Sequence, residues 1–239
     1  MIKIKNYSDR AEIFLWGDII TDTDANWLER DRTKAYQFPA KIKEQLDELK
    51  GMPLDVHIAS DGGDCAAGIA IYNMLANHDA PVTVYIDSWA ASIASYVAFA
   101  GQKIVMPENT FLMIHNPKAG AWGDASYLRT VADWLEKLRD NIAGLYSKKA
   151  TDKPVDDFNR LMDAETWLTA AECKALWPDV VELREATEIE AVASLKTSFI
   201  KKAPAALMEK CKAHENGNNE VKNKILSVLR EAYKYEEKG

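Results

Sequence analysis

The chain has 239 residues, 47% of them hydrophobic and 28% charged, the make-up of a globular protein long enough to bury a real core. A formal charge of −7 gives no support to nucleic-acid binding, and no apolar run reaches the roughly 20 residues of a membrane helix. The start, Met1-Ile2-Lys3-Ile4-Lys5, lacks the apolar centre of a signal peptide. Cys65, Cys173 and Cys211 are widely spaced and odd in number, which suits a reducing cytoplasm better than a disulfide framework, and no Cys or His pair has metal-ligand spacing.

In chain order, Glu12–Trp16 reads as a first short strand ended by Gly17-Asp18. Residues 22–50 read as mainly helical, with Pro39 forcing a break or a new helix start. Leu54–Ala59 is a strand with Leu54, Val56 and Ile58 on one face. It runs into Ser60-Asp61-Gly62-Gly63, and a helix follows with Ala66, Ile69, Ala70, Asn73 and Met74 at helical spacing. Val82–Ile86 is the next strand, leading to an apolar helix that begins around Ser92. Lys103–Met106 and Thr110–Ile114 are further strands across the turn Pro107-Glu108-Asn109. Strands alternating with helices predict an α/β domain with a largely parallel sheet.

The longest helical signal covers Ala125–Lys149, where Leu128, Val131, Trp134, Leu135, Leu138, Ile142 and Leu145 recur at steps of three and four. Such a helix packs on its own domain or extends to meet a partner subunit. Pro154 ends this region, and a helical hairpin leads to Asp163–Thr169. After about Glu190 the composition shifts: residues 190–239 carry ten Lys/Arg against seven Asp/Glu. The chain therefore divides into a main domain, 1–189, and a helical, partly flexible extension, 190–239, that reads as a docking or assembly element.

Chemistry concentrates in two segments. In Asp87–Tyr96 a serine, Ser92, sits among small residues at a strand-to-helix turn with helix amides behind it. In Phe111–Pro117 a single histidine, His115, ends an apolar strand 23 positions on. The pair is a candidate nucleophile and base, although small residues also suit close helix packing and a strand-end histidine is often structural. His57 alternates outward on its strand, and His78 and His214 lie in polar, surface-like segments, so all three are weaker candidates. Gly62-Gly63 follows a strand and precedes a helix, which suits backbone amides aimed at an anion; it matches neither a dinucleotide fingerprint nor a Walker loop. An acid to orient His115 must come from elsewhere, and Asp163 and Glu165 stand beside Trp167.

The order of these pieces resembles the proteolytic subunit of the Clp proteases. The resemblance runs from about Glu12 to Glu182, and its most specific parts are Ser60-Asp61-Gly62-Gly63, Ala90-Ala91-Ser92 and Met113-Ile114-His115-Asn116-Pro117, followed by Glu165-Thr166-Trp167-Leu168-Thr169-Ala170. It implies a ClpP/crotonase-like α/β fold and a Ser-His-acid peptidase that assembles into homo-oligomeric rings. Ser92 would be the nucleophile, His115 the general base, and the amides of Gly63 and Ile93 the oxyanion hole. The acid position, usually aspartate in the family, is Glu165, with Asp163 as the alternative. Asp61 stands where the family has proline, and Ile93-Ala94 replaces Met-Gly or Met-Ala.

The region Thr21–Lys50 is longer and more charged than in housekeeping subunits, and the tail after Glu190 has no counterpart there. Both features resemble the phage and prophage branch, whose members act as prohead maturation proteases. The resulting expectation is a serine endopeptidase of the bacterial host cytoplasm acting on capsid or scaffold proteins, with no cofactor or metal, no nucleic acid and no membrane. A AAA+ unfoldase partner is not expected, because Met1–Arg10 leaves little room for an axial loop. The alternatives are a Clp-type subunit that does use such a partner, an inactive assembly protein of the same fold, and a crotonase-type acyl-CoA enzyme. The last has no need of Ser92 and His115 together.

Overall fold

Alternation of large apolar residues with polar or aromatic ones makes the strands and decides which way they face. Ala11, Ile13 and Leu15, then Leu54, Val56 and Ile58, then Val82, Val84 and Ile86 are all buried, while the residues between them are half-buried. A computed structural model describes residues 5–6, 9–28 and 34–185 of the chain. The elements are β1 (Lys5–Asn6), β2 (Ala11–Trp16), β3 (Asp18–Ile19), α1 (Asp22–Leu28), β4 (Tyr36–Gln37), α2 (Pro39–Glu48), β5 (Leu54–Ser60), α3 (Cys65–Ala76) and β6 (Val82–Ala91). After these come α4 (Ile93–Ala98), β7 (Lys103–Pro107), β8 (Phe111–Ile114), α5 (Ala125–Lys149), α6 (Val155–Asp163), β9 (Thr166–Thr169), α7 (Ala170–Leu176) and β10 (Val181–Arg184).

The main sheet runs β1-β2-β5-β6-β7-β10, parallel throughout except for the antiparallel β1. Strand β6 divides its second edge between two partners. Its first half, Thr83–Tyr85, pairs with β7, and its last residues, Trp89–Ala91, pair in parallel with β8, which carries β9 antiparallel on its far side. The sheet therefore splays at the end of β6, and the two prongs diverge around the start of α4. A small second sheet, β3-β4, strands the region between Ile19 and Gln37.

The structure adds the short strands β1, β3, β9 and β10 to those expected, and it differs from the sequence reading in other places. Pro39 does open a helix, occupying its first turn, but β4 precedes it where helix was expected. Strand β6 continues five residues beyond Ile86, so the small residues Ala90 and Ala91 finish a strand rather than start a helix. In α3 the buried face is Ala67, Gly68, Ile71 and Leu75, whereas Ala66 and Asn73 are exposed and Ile69, Ala70 and Met74 only half-buried. His78 is a buried side chain, not a surface one: 4% exposed, its Nε2 lies 2.9 Å from the Met52 carbonyl.

An aromatic cluster closes the core behind α4. Trp177 stacks on Phe158 (5.6 Å between centroids) and meets Phe99 at 4.8 Å and Tyr146 at 6.2 Å, while its indole N–H donates to the Tyr146 carbonyl at 2.9 Å. This roots only the C-terminal part of α5, where Ile142, Ala143 and Tyr146 are buried. Towards its N-terminus Tyr127, Leu128 and Trp134 are exposed, with Trp122 in the preceding loop almost fully so. Among the described residues no helix is long and apolar enough to cross a membrane. The extension expected after residue 189, with His214 and Cys211, lies outside the described residues.

Candidate active site

Ser92 is the single residue between β6 and α4, and it has φ 56° and ψ −132°, a left-handed φ that non-glycine residues rarely adopt. Strain of this kind costs of the order of 1–3 kcal/mol and persists only where neighbours impose it. Here they do: the Ser92 amide donates to the Met113 carbonyl at 2.9 Å, and the Ser92 carbonyl accepts from the Ser95 amide at 3.0 Å.

Pairing of β6 with β8 brings His115 alongside. The parallel register sets Ala91 beside Met113, so the chain leaves both strands at the same end, with Ser92 past one and His115 past the other. His115 Nε2 lies 2.7 Å from Ser92 Oγ. With the ring proton on Nδ1, Nε2 accepts from the serine hydroxyl, the arrangement a general base requires.

The antiparallel register of β8 and β9 brings a carboxylate to the histidine. Ile114 faces Thr166, so the next step of the ladder faces His115 towards Glu165, itself in the left-handed region with φ 49°. Glu165 Oε2 lies 3.8 Å from His115 Nδ1 and 2.8 Å from Lys118 Nζ. Asp163 is turned to another partner, accepting from the Asn116 side-chain amide at 2.8 Å. Of the two carboxylates considered from the sequence, Glu165 is the one placed at the imidazole.

Gly62 and Gly63 lie against the serine turn. A Cβ on Gly62 would meet the Ala91 carbonyl at 2.6 Å and Ser92 Cβ at 2.8 Å; one on Gly63 would meet the Ile19 carbonyl at 2.0 Å. Both have positive φ, 90° and 146°. The Ile19 amide donates to the Gly62 carbonyl and the Ile19 carbonyl accepts from the Asp64 amide. In a parallel bridge of this type the intervening residue, Gly63, turns its own N–H to the opposite edge. The loop is further tied down by Ser60, whose hydroxyl donates to the Gly17 carbonyl at 2.6 Å and accepts from the Gly62 amide at 3.1 Å. Asp61 accepts from the Trp89 indole at 2.7 Å, which answers why a carboxylate is tolerated in the glycine loop.

Other reactive groups are accounted for elsewhere. His57 is sandwiched between Phe14 and Tyr85 and bonded to Asp87 at 2.8 Å, half-buried on the face opposite Val56 and Ile58. Burial pushes the Cys65 thiol up, and the neighbouring Asp64 pushes the same way, so it is a poor thiolate. Among the described residues no group of His, Cys, Asp or Glu is arranged to hold a metal ion. Sequence reasoning missed Lys118 and Asn116, whose partners lie 47 residues away, and also Ser95 and Tyr146 beneath the serine. Asn116 and Ser95 lie inside the segments that the motifs single out, but nothing local marks their partners, and no periodicity or motif marks Lys118 or Tyr146.

The family model for Clp protease matches residues 34–176, more than half of the chain and all of the site. The chain belongs to the Clp protease family. Two similar curated proteins are ATP-dependent Clp protease proteolytic subunits, from Oltmannsiellopsis viridis (32% identical over 130 residues, 53% of this chain and 66% of that one) and Pleurastrum terricola (30% over 122 residues, 50% and 61%). The chain thus spans just under two thirds of the length of the curated relatives it matches. Among solved structures, a ClpP1 mutant from Listeria monocytogenes superposes with a TM-score of 0.58 at 21% identity, over 74% of this chain and 92% of that one. The architecture is the ClpP/crotonase-like α/β fold expected from the sequence, and the family is one of serine peptidases.

Proposed function

We propose that this Clp-family chain is a serine endopeptidase in which Ser92 attacks the scissile carbonyl, His115 is the base and Glu165 orients the imidazole. The observation that carries this is the 2.7 Å approach of Ser92 Oγ to His115 Nε2 on a strained turn beside two glycines. His115 Nε2 takes the hydroxyl proton as Oγ bonds to the carbonyl carbon, and the N–H groups of Gly63 and Ile93 receive the developing oxyanion. The same proton then passes to the departing amine, the C–N bond breaks, and a water repeats the sequence to release the acyl group and restore Ser92.

Within the family we place the chain in the phage or prophage branch, acting in the host cytoplasm on capsid or scaffold proteins as a homo-oligomeric ring. Support comes from the charged Thr21–Lys50 region, from a tail that the family match, ending at Leu176, does not cover, and from the exposed apolar residues of α5. The domain division at about residue 189 belongs to this reading. The names of the curated relatives favour a second one, a proteolytic subunit working with an ATP-driven unfoldase. Degradation of a denatured protein without ATP or partner separates the two.

The test of the activity itself is intact mass after treatment with a fluorophosphonate, for the wild type and Ser92→Ala. A single adduct on the wild type that is absent from the variant supports the peptidase. An unmodified wild type in its assembled state moves the inactive assembly protein to the front.

A further inference from the structure

Beneath the nucleophile runs a buried chain of hydroxyls. Ser95, fully buried, donates from Oγ to the Ser92 carbonyl at 2.5 Å, and its Oγ lies 2.9 Å from the hydroxyl of Tyr146, which is 2% exposed. A serine has one hydroxyl proton, and that proton is committed to the Ser92 carbonyl. The Tyr146 hydroxyl must therefore be the donor of the second bond. The direction is fixed: Tyr146 O–H to Ser95 Oγ, then Ser95 O–H to the Ser92 carbonyl. Burial pushes the phenol's pKa well up, against the opposing pull of the Ser95 bond, so Tyr146 keeps the proton it donates. Contacts with Phe99, Phe158 and Trp177 hold the ring in place.

The Ser92 carbonyl and the Ile93 N–H belong to one planar peptide unit, and in a trans peptide they point in opposite directions. The Ser95 amide also donates to this carbonyl, at 3.0 Å, and the shorter hydroxyl bond completes the hold; fixing the carbonyl from the Ser95 side aims the Ile93 N–H the other way, towards the serine turn. We propose that Ser95 and Tyr146 are positioning residues that orient the Ile93 amide for a developing oxyanion, through the Ser92–Ile93 peptide plane. The proposal rests on the peptidase reading above, since an oxyanion donor has work to do only in acyl transfer. It goes further than that reading, because it assigns a role to two residues that never touch the substrate.

The relay makes catalysis and stability part company, and the experiment uses that. Ser95→Ala, Tyr146→Phe and the double variant are compared with the full-length wild type for fluorophosphonate labelling rate, peptide kcat and KM, and Tm. Ser95→Ala should slow labelling and kcat roughly tenfold or more with KM little changed, and it should lower Tm because the phenol loses its acceptor. Tyr146→Phe should give a smaller loss in kcat. In the double variant Tm should recover, since neither hydroxyl remains, while labelling stays at the Ser95→Ala rate. Labelling that recovers along with Tm, or wild-type rates in both single variants, would overturn the relay and leave the peptidase standing.

A second readout needs no chemistry. In a crystal structure of Ser95→Ala the Ser92–Ile93 peptide should rotate and ψ of Ser92 should leave its value near −132°. An unrotated peptide overturns the relay. A rotated one, with a wild type that never labels, supports the relay's geometry and retires the peptidase reading alone.

Discussion

Lys118 and His115 converge on one oxygen of Glu165, the ammonium at 2.8 Å and the imidazole Nδ1 at 3.8 Å. Only the shorter distance is a hydrogen bond. An exposed ion pair of this kind is weak in stability terms, about 0–1 kcal/mol, but it decides where the carboxylate points. In the proposed mechanism, Lys118→Met releases Oε2 to take the Nδ1–H of His115, and peptide turnover should rise severalfold. Steady-state kinetics at saturating substrate reads this; an unchanged or reduced kcat would mean that the lysine holds the acid in its working position.

The acid itself is assigned by comparing two amide variants. Glu165→Gln should lower kcat by roughly 10²-fold or more, since the base loses the group that orients it and offsets its charge. Asp163→Asn should change it by less than about threefold, because Asp163 bonds to Asn116 rather than to the imidazole. The reverse ranking would transfer the role to Asp163.

Gly63 permits no side chain. A Cβ there sits 2.0 Å from the Ile19 carbonyl oxygen, a backbone atom held in the β3 bridge. Gly63→Ala must push the loop off β3, and the proposed oxyanion donor moves with it. We expect labelling of Ser92 to fall by roughly 10²-fold and denaturant unfolding to register a loss of about 1–3 kcal/mol. Wild-type labelling in this variant would remove Gly63 from the oxyanion hole.

The outer part of α5 bears Tyr127, Leu128 and Trp134 in the open. If a second copy covers them, Leu128→Asp with Trp134→Asp should shift the sedimentation coefficient from a ring to a smaller species while far-UV circular dichroism stays unchanged. An equal distribution of species in both proteins would place the subunit interface elsewhere.

Asp55 offers a pH test of stability. Burial, chiefly, raises its pKa above 3.8, although Arg10 at 3.1 Å pulls the other way. A carboxyl whose pKa is raised by folding favours the native state while protonated and loses that contribution as pH climbs through the folded value. Asp55→Asn should therefore gain in Tm relative to the wild type as pH rises from below 3.8 through the folded value. A Tm difference that stays constant over that range would contradict the assignment.

How much of this was legible in the chain depends on the distance over which each signal acts. Alternation at Leu54, Val56 and Ile58 is local, and so is the three-four spacing that placed α5 at Ala125–Lys149. The glycine pair and the serine and histidine at strand ends were equally visible. Trp89-Ala90-Ala91 hid the end of β6, because its burial does not alternate where β8 joins the second edge. Glu165 sits in a left-handed turn without the glycine that would announce one, so its place opposite His115 was not legible. The bonds of Lys118 to Glu165 and of Tyr146 to Ser95 span 47 and 51 residues. They exist only because sheet register and the aromatic cluster bring those positions together.

Helix α5 is built as a cantilever. It has 25 residues, and those that are buried, Ile142, Ala143 and Tyr146, sit near its C-terminal end with Leu138 packed beside them, so about 20 Å of it overhangs the clamp. A tilt of about 10° at the root swings the free tip by roughly 4 Å, yet it displaces the Tyr146 hydroxyl by far less, because that group sits at the pivot. Leverage works in the other direction as well. A grip on the far end damps rocking at the root, so whatever immobilises Leu128 and Trp134 also steadies the hydroxyl that reaches up to the serine turn.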